Sequence, residues 1–403
     1  MQNPILTVGM PTYDDYDGVF FTIQSLRMHH AEAMSRVELL VIDNNPNGKH
    51  GRLLKALLEQ VPNGRYIAEG DWRGPWVKDL VVREAAGKYA MCLDCHVLLP
   101  TGTLQRLLDF YESLDDNWDE PPTNGVPHPR DFFQGPLLYD SLQKISTHFE
   151  PVWRGEMWGI WADDARGCDL QAPPFEIPMQ GMGLFTCSKQ SWVEVGGFNR
   201  LMRGFGGEEG YIHAKFRQAN KRCWCLPFLR WMHRFNRPHG VPFELTWQNK
   251  VWNYAVGLRE TGLTVEPMVA HFMQAKGLKR ETIMDIVHAA QRAVDEAAEA
   301  TEATARCPVL TKERFLEYMF AWMKTFETRP NYVAISEEDF PSVRDWGSKD
   351  RPKPDVPESI SLLYGCKVSW RSSDNCEPVF DHVEEPVLAK EPAFDQARDS
   401  SNV

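Results

Sequence analysis

Short, unbroken apolar runs alternate with amphipathic stretches along the N-terminal part of the chain. Residues 5–13 (ILTVGMPTY) and 37–45 (VELLVIDNN) are apolar, rich in β-branched residues, and closed by polar clusters. Both read as buried strands. Residues 64–70 (GRYIAEG) read as a third strand and residues 89–99 (YAMCLDCHVLL) as a fourth. Between them, Phe20, Ile23 and Leu26 fall at helical spacing, residues 51–61 (GRLLKALLEQV) do the same, and a helix is predicted over about residues 76–86, stopped by Gly87. Strands alternating with helices imply parallel βαβ units, and such sheets take ligands beyond the carboxyl ends of their strands. The polar ends Thr12-Tyr13, Asp43-Asn44-Asn45 and Asp94-Cys95-His96 are then expected along one edge.

The pattern changes after residue 115. Residues 115–178 are rich in Pro, Trp and acids, and Trp153, Trp158 and Trp161 read either as core residues or as rings free to stack on a ligand. Residues 278–305 are Ala- and Glu-rich and helical, and residues 311–326 (TKERFLEYMFAWMKTF) form another amphipathic helix. Residues 331–403 are acidic and Pro-rich and read as an extended tail. The expected organisation is a catalytic α/β domain over 1–265, a helical extension over 266–330 and the tail over 331–403.

Charge and cysteine content narrow the function. The net charge is −12 in 403 residues. The tail alone holds 15 acidic against 8 basic residues, so the first 330 residues are only mildly acidic and give no bulk reason to expect nucleic-acid binding. A local basic groove near Arg200, Arg203 and Arg234 stays open. Nine cysteines at irregular spacing favour reduced thiols over a disulfide framework. No apolar run approaches the roughly 18 residues that span a bilayer, and the N-terminus has no signal-peptide pattern. The expectation is a cytoplasmic protein without a membrane span.

The sharpest chemical signal is MCLDCHVLLP, residues 91–100. On a strand, residues i and i+2 share a face, so Asp94 and His96 are expected to aim together at the ligand edge, with Cys95 turned to the core. One oxygen and one nitrogen ligand suit a divalent ion such as Mn²⁺; the competing reading is a core histidine satisfied by one carboxylate. On sequence alone Asp43 reads equally as a turn acid in DNNPNG or as a nucleotide contact. Lys78 reads as a helix-face lysine or a phosphate contact, Asp79 and Arg83 as an i,i+4 pair, and Glu208 and Glu209 as helix-start acids or site carboxylates.

The segments GPWVKDLVVREAAGKYAMCLDCHVLLPTGTLQRLL and MGLFTCSKQSWVEVGGFNRLMRGFGGEEGYIHAKFRQANKRCWCLPFLRWMHRFNRP resemble GT-A glycosyltransferases. They are family-2-like and most similar to polypeptide N-acetylgalactosaminyltransferases, which carry an Asp-x-His metal motif. The resemblance covers roughly residues 5–260. It implies a GT-A α/β fold and transfer of a sugar from a UDP-sugar to an acceptor hydroxyl with Mn²⁺ or Mg²⁺, with retention of configuration. It makes His233 a third metal ligand beside Asp94 and His96, and sets Asp43 against the uracil edge. Thr12 and Tyr13 then border the base and ribose, Lys78 faces the diphosphate, and Glu208, or less directly Glu209, serves as the site carboxylate. The segment containing Arg237 becomes a loop closing over the donor. The acceptor stays open among a protein, a glycan or lipid carrier, and a hydroxymethylated base in DNA. Two further classes compete, a non-catalytic nucleotide-sugar-binding protein and a nucleotidyltransferase. The acidic loop GMPTYDDYDGVFF argues against the latter, which needs a Gly-rich basic loop there.

Overall fold

The computed structural model describes residues 3–115, 117–237, 240–306, 367–370 and 378–381. It divides into two compact units, Met1–Asp295 and Glu296–Val403. In the first unit, β1 (Leu6–Thr12), α1 (Tyr16–His29), β2 (Val37–Asp43), α2 (Gly51–Glu59), β3 (Gly64–Ala68), α3 (Trp76–Arg83) and β4 (Tyr89–Leu93) follow one another as strand–helix repeats. The four strands pair in parallel, in the order β3-β2-β1-β4. β1, β2 and β4 are almost wholly buried, as unbroken Val, Leu, Ile and Met runs require when helices cover both faces.

The predicted fourth strand breaks where its chemistry begins. β4 ends at Leu93, residues 94–96 turn, and only Val97–Leu98 extends again, as β5. The Val97 amide closes the turn on the Asp94 carbonyl, and the Asp94 amide donates to the Gly183 carbonyl. Strand periodicity therefore does not govern Asp94 and His96. Likewise α3 ends at Arg83 rather than near residue 86.

After α4 (Thr103–Asp115) the strands are short: β6 (Phe132–Gln134), β7 (Leu137–Leu138), β8 (Ile145–Ser146), the hairpin β9 (His148–Arg154) and β10 (Met157–Ala162), β11 (Phe175–Glu176) and β12 (Leu184–Ser188). Then come α5 (Lys189–Glu194), α6 (Tyr211–Gln218), β13 (Cys223–Cys225), β14 (Trp231–His233) and the helices α7 (Trp247–Glu260), α8 (Glu266–Lys276) and α9 (Arg280–Arg306). β12 runs antiparallel to β4 and extends the main sheet through β6, β13 and β11 to eight strands. A second sheet, β5-β14-β7-β8, sits at the end of β4, and in it His233 lies opposite Val97. Met268, Val269 and Phe272 of α8, and Ile283 and Val287 of α9, are buried in the same cluster as Leu40 and Ile42 of β2. Each such side chain contributes about 1.5–3 kcal/mol.

In the second unit the described strands are β15 (Lys367–Trp370) and β16 (Pro378–Asp381), an antiparallel pair. The predicted helix at 311–326 and most of the acidic tail lie outside the described residues. Among the described residues no helix is long and apolar enough to cross a membrane.

Candidate active site and metal centre

The carboxyl ends of β1, β2 and β4 open on one cleft of about 610 Å³. Thr12, Tyr13, Lys78, Asp94, His96, Glu208 and Arg237 line it, together with Asn44, Asp15 and Cys95. The turn after β4 and the end of β14 bring three groups together: the ligand atoms of Asp94, His96 and His233 lie within 4.8 Å of one another. His96 Nε2 is 3.1 Å from His233 Nε2, and Asp94 Oδ2 is 3.3 Å from the same His233 nitrogen.

A carboxylate outside the sequence expectation orients this set. Asp15 Oδ2 accepts from His96 Nδ1 at 3.2 Å, while its Oδ1 caps α1 by accepting from the Gly18 amide at 3.0 Å. With the proton on Nδ1, the His96 Nε2 lone pair faces inward, where the Arg237 guanidinium donates to it at 2.8 Å. Burial, ahead of its contacts, lowers the His96 pKa and favours the neutral ring. A neutral imidazole tied to a carboxylate through its far nitrogen is the arrangement metal-ligating histidines adopt. Two imidazole nitrogens and one carboxylate oxygen facing a common point, on the wall of a cleft, thus fit a divalent ion. Among the described residues His233 Nδ1 has no partner, and it is buried. Cys95 is buried as expected but does not turn away: its Sγ lies 3.6 Å from both Asp15 Oδ2 and His96 Nδ1. The turn, unlike a strand, places it on the same side as its neighbours.

Lys78 stands between two carboxylates. Its Nζ is 3.6 Å from Asp94 Oδ1, 3.6 Å from Glu208 Oε1, and donates to the Met182 carbonyl at 3.0 Å. Burial pulls its pKa down, but Asp94 and then Glu208 outweigh it and keep the ammonium charged. Burial likewise raises Asp94, yet Lys78 and His233 hold it below the usual carboxylate range.

Glu208 and Glu209 precede α6 without capping it: the cap is Gly210 in the left-handed region, with φ 76°. Glu208 lines the cleft and leaves Oε2 without a partner. Glu209 points away from the cleft, accepting from the Gly207 amide and the Tyr254 hydroxyl. Burial and then the Glu208 charge push it up to about 7.

Asp43 is buried behind the cleft wall. One oxygen accepts from the Asn45 amide at 2.9 Å and the other from the Tyr66 hydroxyl at 2.8 Å, and its neighbour Asn44 reaches the cleft instead. Tyr13 lies edge-on to Phe243 at 5.9 Å, under the Arg73 guanidinium. Arg83 pairs with Asp79 as spacing predicted, and Asp79 also accepts from the Trp192 indole at 2.6 Å. The tryptophans of the β9–β10 hairpin divide. Trp153 stacks on Trp158 at 5.9 Å, whereas Trp161 helps line a separate surface pocket of about 490 Å³ with Arg154 and Lys250.

Residues 7–127 match the family described as glycosyl transferase family 2. With the parallel β3-β2-β1-β4 half-sheet extended by strands of mixed direction, this gives the α/β domain the GT-A fold expected from the sequence. No curated protein matches the chain in sequence. Among solved structures it is similar to GalNAc-T7 with UDP, GalNAc and Mn²⁺, at 13% identity and TM-score 0.45, covering 70% of this chain and 56% of that one. It is also similar to the mannosyltransferase PcManGT from Pyrobaculum calidifontis in complex with GDP-Man and Mn²⁺, at 16% identity and TM-score 0.39, covering 82% and 89%. A third is S. aureus TarS 1-349 in complex with UDP-GlcNAc, at 12% identity and TM-score 0.41, covering 70% of each chain. The chain thus spans little more than half the length of the first of these.

Proposed function

We propose that the protein is a metal-dependent glycosyltransferase that moves a hexosyl or N-acetylhexosaminyl group from a UDP-sugar to an acceptor hydroxyl. The observation that carries this reading is the convergence of Asp94, His96 and His233 beside Lys78 in the cleft at the carboxyl edge of the sheet. Asp94, His96 and His233 would hold the ion, and two imidazoles favour Mn²⁺ over Mg²⁺. When bound, the ion supplies charge neutralisation at the departing diphosphate. Lys78 adds a fixed positive charge on the same wall, and Arg237 a second. Asp15 holds the His96 ring in the ligating tautomer. Thr12, Tyr13 and Asn44 border the nucleoside, with Asp43 holding the β2 end from behind.

Glu208 Oε1 is committed to an ion pair with the Lys78 ammonium at 3.6 Å, on the cleft wall. That supports a role beside the sugar rather than as the general base of an inverting enzyme, and so favours retention. Residues 1–265 form the catalytic unit in this reading, 266–330 an extension, and 331–403 an acidic tail. Cys92, Cys95, Cys168, Cys187, Cys223 and Cys225 are all free thiols, which supports a reducing compartment, the cytoplasm.

The test is UDP-sugar hydrolysis with Mn²⁺ by wild type, His96→Ala and His233→Ala. Losing a ligand worth several kcal/mol lowers turnover about 100-fold or more. Unchanged metal-dependent hydrolysis in both variants would sink the assignment. The anomeric configuration of the product, read by NMR, decides retention.

A further inference from the structure

The rim of the cleft carries a second pattern. Two loops pack together there, the Gly204 amide donating to the Arg73 carbonyl at 3.2 Å. Each arginine on them lies on an aromatic ring: Arg73 over Tyr13 at 5.3 Å, Arg200 over Trp76 at 4.4 Å and Arg203 over Trp252 at 3.8 Å. Across the cleft, Arg234 follows His233 and Arg237 reaches His96. Arg237 acts on the Asp15 carboxylate as well as on His96, but Arg73, Arg200, Arg203 and Arg234 enter no ion pair among the described residues, although the chain as a whole is acidic. The acids on the cleft wall are committed elsewhere, Asp94 and Glu208 to Lys78 and Asp15 to His96, leaving Glu244 as the unpaired one. Beside the arginines, apolar rings stand open to solvent: Trp72 is 37% exposed, Phe205 43% and Phe235 55%.

A guanidinium held over an aromatic face keeps N–H donors that can turn to phosphate oxygens. Exposed rings between such cations give platforms on which any base stacks. In the proposed reading a UDP-sugar brings only two phosphates, which Lys78, Arg237 and the ion would answer, leaving Arg73, Arg200, Arg203 and Arg234 over. Resting on the glycosyltransferase reading, we propose that this rim binds a single-stranded or locally opened polynucleotide, so that the acceptor hydroxyl is presented on a nucleotide. The hydroxyl oxygen then bonds the anomeric carbon as the bond to the β-phosphate oxygen breaks. The diphosphate departs and the hydroxyl proton leaves with it or to water.

The experiment measures fluorescence anisotropy of a labelled single-stranded 20-mer across a salt series, beside the duplex, heparin and a poly-glutamate peptide. UDP–Mn²⁺ binding is followed by calorimetry on the same protein. Single-stranded binding should fall with salt at a log–log slope of about −2 or steeper, since each phosphate contact contributes about −0.7. Arg200→Ala and Arg203→Ala should each flatten that slope by about 0.7. Trp72→Ala should weaken binding to the 20-mer more than to heparin, and His96→Ala should leave 20-mer binding in place while abolishing that of UDP–Mn²⁺. Arg200→Lys, which keeps the charge, controls for folding. No binding of the 20-mer, or equal binding of heparin or poly-glutamate, overturns the proposal without touching the donor reading. Loss of UDP–Mn²⁺ binding in wild type with the 20-mer still bound overturns the donor reading instead.

Discussion

Two aspartates stand at the carboxyl ends of the strands that flank β1, and they do opposite things. Asp43 ends β2 with both oxygens taken by Asn45 and Tyr66 and its face sealed from the cleft. Asp94 follows β4 with Lys78 on one oxygen and His233 on the other, open to the cleft. Burial raises the Asp43 carboxyl, its neutral donors failing to compensate, whereas the Lys78 charge reverses the effect of burial at Asp94. Position on a parallel sheet nominates an acid. What partners it, a neutral donor or a cation and an imidazole, decides whether it holds the fold or prepares for a ligand.

The contrast can be broken or sharpened in steps of decreasing size. Lys78→Met leaves Asp94 and Glu208 facing each other with no cation between them. Breaking such a buried pair costs about 3–5 kcal/mol, read as a fall in the denaturant midpoint, and an unchanged midpoint would mean the ammonium carries no structural weight. Asp15→Asn keeps the α1 cap but loses the charged acceptor for His96 Nδ1. Mn²⁺ affinity, measured by EPR titration, should drop about 10–100-fold with little change in melting temperature. Asp43→Asn should cost about 1 kcal/mol of stability and leave the donor KM where it was; a KM rise with stability intact would put Asp43 in the same class as Asp94.

The smallest effect concerns Glu209. Its pKa is raised in the fold to about 7 from an ordinary 4.5, so the folded protein binds more protons than the unfolded chain between those values. The stability it contributes is present below about pH 4.5 and is lost as pH rises through about 7. Glu209→Gln retains the acceptor for Tyr254 and should flatten that decline in urea midpoints between pH 5 and 8. Parallel wild-type and variant curves would rule the titration out.

The parallel half of the sheet was legible because buried parallel strands must be apolar throughout, so residues 5–13, 37–45 and 89–93 announce themselves. The short strands that follow were not. β6, β7, β8, β11 and β14 run two or three residues each, too short for any period to show in the sequence. The same limit shaped the site. Asp94 and His96 converge as expected, but for a reason the structure replaces: a tight turn rather than strand alternation brings them together. His233 was reached only through family likeness, since nothing local ties it to a partner far back in the chain. Nothing in TYDDYDG singles out Asp15 among its neighbouring acids: one of its oxygens caps α1, and the other finds His96 only in three dimensions.

The short pairing of β5 with β14 also sets an order of events in time. A nascent chain that has emerged as far as β12 already contains Asp94 and His96 but no third arm, because His233 is delivered only when β14 closes against Val97. That closure joins segments separated by more than a hundred residues and is entropically the late step. On the proposed metal reading, manganese capture is therefore a witness to completed folding. In a refolding time course it should appear with the slowest phase, after the parallel half has collapsed.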